Sequence, residues 1–169
     1  MKPISKIPFA VAATLAILFW IHALVNKSGF LLLDYVNLPF HEFGHLFFDF
    51  FGQGLGLWGG TLAQLLIPVI IGVNFWIRQE PLGVAFGGFW FGENFLNISV
   101  YLGDAQKMLL PLVGGGEHDW NLILSSLNLL NQCGLISSMV RLLGWVIMVG
   151  AVLWLGLVFL GSQAEEENL

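Results

Sequence analysis

Charged residues are scarce in this sequence. They make up 10% of its 169 residues, against roughly 25% in an ordinary soluble domain. Hydrophobic residues account for 57%, and the mean hydropathy is +0.81. That balance excludes a water-soluble globule and assigns the chain to a lipid bilayer. Only six residues are basic and they stand singly, so a nucleic acid finds no electrostatic footprint and is excluded as a partner. One cysteine, Cys133, excludes an internal disulfide and any cysteine-based zinc site, so a metal must be held by His, Asp or Glu. Internal repeats are absent, and the apolar runs leave no length for a separate soluble module.

What is abundant is long apolar sequence. Runs at about 7–25, 30–51, 61–77, 82–102 and 135–160 approach or exceed the roughly 20 helical residues that cross about 30 Å of hydrocarbon. The fold class expected is therefore all-α, a polytopic integral membrane protein of four to five transmembrane helices forming a single domain over residues 1–169. Within the second run, Asn37 and Pro39 suit a helix start near Leu38, which would shorten that run to a half-span. The stretch Gly52-Gln53-Gly54-Leu55-Gly56-Leu57-Trp58-Gly59-Gly60 is too rich in glycine for a helix and too apolar for a solvated loop, and is expected to lie at the interface or re-enter. A loop over about 103–120, a short amphipathic piece at Asn121 to Asn131, and a solvated acidic tail over 161–169 complete the plan. With five crossings, Lys2, Lys6, Lys107 and Arg141 fall on one side, which places the N-terminus in the cytoplasm by a small margin.

Ionisable groups inside such runs cost a few kcal/mol each and mark functional positions. The second run carries three in five residues, His41-Glu42-Phe43-Gly44-His45. At about 100° per residue, His41 and His45 share one face of a helix. Two imidazoles at that spacing can reach one Zn²⁺, with the glutamate between them beside the ion as a base for water. Zinc is the cofactor expected, His41 and His45 the ligands and Glu42 the catalytic residue. Zinc needs a third protein ligand. Glu93, Asn97, Tyr101 and Asp104 form a polar stripe on the fourth run. Beyond it, Gly114-Gly115-Gly116 lets Glu117, His118 and Asp119 fold back. His118, chemically the best zinc donor, ranks first as third ligand. Asp104 and Asp119 follow as alternative ligands or as acceptors that orient an imidazole, and Asn97 is the candidate for holding substrate.

The box in its hydrophobic setting resembles that of the site-2 protease family, polytopic membrane zinc proteases in which the two histidines bind zinc and the glutamate is the general base. The resemblance covers about a fifth of the chain. It implies zinc binding by His41 and His45, base catalysis by Glu42, and hydrolysis of a transmembrane peptide within the bilayer. The family's third ligand is an aspartate in an Asn-Pro-x-x or Leu-Asp-Gly context; here Leu102-Gly103-Asp104 is the nearest sequence. Two other classes fit the same residues. An iron-type membrane enzyme would call for more histidines than four, and a small non-catalytic subunit or scaffold of a larger membrane complex would use the metal structurally.

Overall fold

The computed structural model describes residues 1–112 and 117–167. Among these the chain is helical and has no strand: α1 Lys6–Val25, α2 Asp34–Asp49, α3 Gln53–Ile77, α4 Pro81–Asp104, α5 Asp119–Ser126, a 3-10 turn Leu130–Gln132, and α6 Cys133–Glu167. Three segments, Lys6–Val25, Gln53–Ile77 and Leu130–Glu165, are long and apolar enough to cross a membrane. In α1 no residue is buried, and its exposed side chains include Ile7, Leu15, Leu18 and Leu24. A helix apolar on every side and unburied has lipid, not water, as its solvent.

The other helices pack around α4, with α3 and α6 antiparallel to it. Three apolar layers mark its length. Ala85 packs with Ile4 and Leu155 at its start. Leu96 meets Leu31 and Met148 in the middle, and Ile98, Leu102 and Ala105 meet Trp120, Ile123 and Leu124 at its end. This order puts Lys2 and Lys6 at the same end as Arg78, where Lys2 pairs with Glu80 at 3.0 Å. Lys27 and Lys107 follow the opposite helix ends, and Arg141 is drawn toward that end by a 3.3 Å bond from its Nε to Ser99 Oγ. The basic residues thus divide evenly, and the count behind a cytoplasmic N-terminus is lost.

Glycine sets how closely these helices approach. A Cβ on Gly44 of α2 would stand 2.2 Å from the Gly59 carbonyl of α3. The same contact recurs between Gly72 and Gly87, and between Gly92 and Gly144. In lipid, where apolar side chains gain little by leaving their solvent, small residues let backbones pack directly. This corrects the expectation for the glycine-rich stretch. It is helical, with Gly52 at φ 121° capping α3, because Gly56, Gly59 and Gly60 face α2 and the contact offsets their poor helix propensity.

The start of α2 also differs from expectation. The helix begins at Asp34, whose carboxylate accepts the Leu31 backbone N–H, so Pro39 sits in the second turn. At 16 residues, α2 is about 24 Å long. The glycine hinge expected at Gly114 to Gly116 lies outside the described residues, as does the extreme end of the acidic tail.

Candidate metal centre

The centre forms where α2 crosses α3 and α5 closes over the crossing. His41 and His45 project from successive turns of α2, and Asp119 opens α5. Three distances define the group: His41 Nε2 to Asp119 Oδ2 is 3.1 Å, His45 Nε2 to the same oxygen is 3.1 Å, and the two Nε2 atoms are 3.1 Å apart. Among the described residues this is the one group of three or more such side chains that could hold an ion. Side-chain exposure is 11% for His41, 27% for His45 and 13% for Asp119, so the cluster is sheltered but open on the His45 side.

The outer ring nitrogens explain what the inner ones can do. His41 Nδ1 lies 2.7 Å from Gln64 Oε1, and His45 Nδ1 lies 2.8 Å from the Gly56 carbonyl. Both partners are oxygens that only accept, so each Nδ1 carries the proton and each neutral ring turns a lone pair inward. In that neutral form two lone pairs and a carboxylate oxygen converge on one space. Protonating both Nε2 atoms would set two imidazolium ions in contact against one carboxylate, whereas a single cation satisfies all three acceptors. Donors about 2.0 to 2.1 Å from a tetrahedral zinc stand about 3.3 to 3.4 Å apart, close to the spacing here. Gly60 keeps the space open, since a Cβ there would lie 2.5 Å from His41 Nε2 and 2.6 Å from His45 Nε2. The residues present fit a zinc ion with one position left over.

Burial alone would raise the Asp119 carboxyl, but in the metal-free protein a proton shared from the facing imidazoles of His41 and His45 outweighs burial and holds the group down at about 2. Asp119 is therefore an anion at neutral pH. The Tyr101 hydroxyl accepts its backbone N–H at 3.2 Å, which ties α5 to α4.

His118 is placed differently from its neighbour. It lies 3.7 Å through Nε2 from Asp104 Oδ2 and stacks on Tyr101 with ring centroids 4.1 Å apart. Its Nδ1 accepts the Asn121 backbone N–H at 3.3 Å as the cap of α5. Burial lowers its imidazole below the ordinary value, against the opposing pull of Asp104 and Asp119. A neutral, capping His118 turns its proton toward Asp104 and away from the His41–His45 pair. Asp104 in turn accepts the backbone N–H groups of Leu109 and Leu110 at 3.1 and 2.9 Å. It holds the loop that carries α5.

Glu42 is half-buried beside the pair. It forms no hydrogen bond or ion pair with another described side chain, and its charge reaches both His45 and Tyr101. Asn97 sits behind His41, accepting from Gln64 Nε2 at 3.2 Å. Asp34 and Glu93 are both 0% exposed and in contact with one another. Asn37 donates to Glu93 at 2.9 Å and accepts from Trp90 Nε1 at 2.7 Å.

Sequence reading missed Gln64 and Gly60. The signal for Gln64 was present, a lone amide in the apolar run Leu62 to Ile71, where a buried polar group must find a partner. Gly60 gave no signal beyond the glycine pattern itself. Comparison with known protein families, with characterised proteins and with solved structures gives no match to this chain.

Proposed function

We propose that this protein is an intramembrane zinc metallohydrolase of the peptidase kind, with His41, His45 and Asp119 as ligands and Glu42 as the base. The observation that carries the reading is the convergence of two imidazole nitrogens and a carboxylate oxygen at 3.1 Å around a space that Gly60 leaves free. Zinc, when bound, supplies a Lewis acid for a carbonyl and makes water acidic enough to be a nucleophile near neutral pH. The chain supplies the rest. Glu42, one residue along from a ligand and uncommitted to any described side chain, takes the proton of the attacking water. His45 forms the more open wall, through which a substrate carbonyl reaches the centre. The resemblance of His41-Glu42-Phe43-Gly44-His45 to the site-2 protease box supports a peptide substrate, and exposed Phe43, Leu46 and Phe47 on α2 give a transmembrane segment an apolar surface to approach.

The proposed topology has four crossings, α1, α3, α4 and α6, with α2 rising from the middle of the bundle to one face. Asn37 near the start of α2 meets Glu93, halfway along α4, and Asp49 at the far end of α2 meets Gly56. The centre then lies toward the face opposite the N-terminus.

A structural metal site in a non-catalytic subunit is favoured by one observation, that the same three ligands fasten the short helix α5 to α2. Structural zinc sites are closed by four protein ligands, and this group has three. Purified protein decides between the readings. The enzyme requires about one zinc per chain, and Glu42→Gln must keep the zinc and lose cleavage of a quenched fluorescent transmembrane peptide in proteoliposomes. Equal cleavage by the variant rejects Glu42 as the base. Absence of zinc after purification without chelators, together with failure to take up added zinc, rejects both metal readings.

A further inference from the structure

Behind His41 runs a line of amides whose direction can be read from their partners. Asn97 of α4 spends its oxygen on Gln64 Nε2 at 3.2 Å. Gln64, 2% exposed on α3, has its own NH₂ engaged by Asn97. It therefore presents its oxygen to His41 Nδ1 at 2.7 Å. Both bonds point one way, from the imidazole N–H to Gln64 and from Gln64 to Asn97, and bonds aligned in this manner polarise one another.

We propose that Gln64 and Asn97 are positioning residues that hold His41 in its Nδ1–H form, so that the Nε2 lone pair is presented to the ion. Metal-bound histidines ordinarily receive this service from a single carboxylate or carbonyl against the outer nitrogen. Here the acceptor is the Gln64 amide, itself held by the Asn97 amide. Side-chain amides hold their protons, so the line transmits orientation and polarisation and is not a route for proton transfer. It also joins α2, α3 and α4 at one depth, which fixes the ring against rotation as well as fixing its tautomer. The consequence for metal affinity rests on the zinc reading, whereas the tautomer does not.

The test is built on that difference. Full-length protein carrying ¹⁵N-histidine is stripped of metal and reconstituted in nanodiscs, and two-bond ¹H–¹⁵N correlation reads the His41 ring near neutral pH. The expected result is a protonated Nδ1 and a bare Nε2 in the wild type, loss of that preference in Gln64→Leu, and its retention in Gln64→Glu, which keeps the oxygen. Zinc affinity, read by chelator competition, should fall about 10- to 100-fold in Gln64→Leu, fall less in Asn97→Leu, and recover in Gln64→Glu. A proton on Nε2 of wild-type His41, whether alone or as the imidazolium, overturns the proposal without need of any variant. So does an unchanged tautomer in folded Gln64→Leu, which would leave the amides a packing role only. If the tautomer behaves as expected while the wild type binds no zinc, the positioning role stands and the metal reading falls.

Discussion

Gly60→Ala is the sharpest perturbation the centre allows, because it adds a single methyl group where the ion is proposed to sit. The added Cβ would meet His41 Nε2 at 2.5 Å, His41 Cε1 at 2.6 Å and His45 Nε2 at 2.6 Å. Unstrained contacts between such atoms need about 3.5 Å, so both rings must withdraw by about 0.9 Å. Ligand distances in metal sites hold to about 0.2 Å. A displacement several times that tolerance forfeits at least one ligand, and zinc affinity should fall by about 100-fold or more, equivalent to about 2.7 kcal/mol. The assay is competition against a chromophoric zinc chelator, with circular dichroism and a thermal melt of the metal-free protein to confirm the helical bundle. Gly54→Ala is the matched control: the same helix and the same chemical change, with no atom within 4 Å of the new Cβ. It should bind zinc as the wild type does. Zinc affinity within about threefold of wild type in a folded Gly60→Ala protein would refute the reasoning, since the space between the ring nitrogens could then be filled without consequence.

Other outcomes follow from the same geometry. Glu42→Gln should bind zinc at full stoichiometry and lose about 10²- to 10⁴-fold in cleavage rate, measured on a quenched transmembrane peptide in proteoliposomes. Asp119→Asn and His118→Ala should separate, the first weakening zinc binding by tenfold or more in chelator competition and the second leaving it within a few-fold, because His118 caps α5 and does not reach the group. Gly59→Ala should destabilise the bundle by about 1 to 3 kcal/mol through overpacking against Gly44, read as a lower midpoint in denaturant titration of the metal-free protein. Removing zinc with a chelator should free α5 from α2, seen as faster amide exchange over Asp119 to Ser126 with little change in α4.

Much of this arrangement was legible in the chain. The scarcity of charge gave the membrane, because ionic groups are too costly to distribute through hydrocarbon. Helix type and approximate extent followed from the apolar runs, since a segment in lipid must satisfy its backbone internally. The pairing of His41 with His45 could be read because positions four apart share a helical face. The glycine-rich stretch was misjudged on intrinsic propensity, which tertiary packing overrode at Gly44 and Gly59. The start of α2 was misjudged because Pro39 suggested a first turn, while Asp34 and its bond to the Leu31 N–H had already begun one.

The sequence by itself determined the medium, the helical class and the two histidines with their glutamate, all of which depend on composition or on spacing within one helix. Only the tertiary structure decided which distant residue meets them. His118 and Asp119 are adjacent in the chain and donor chemistry ranked the histidine first, yet the start of α5 turns His118 toward Asp104 and Asp119 toward the histidine pair. The tertiary structure also brought Gln64 behind His41 and set bare Gly60 against its Nε2. Those relations depend on how closely α2 and α3 approach and on the phase of each helix at the crossing, quantities that a periodic pattern along one segment does not contain.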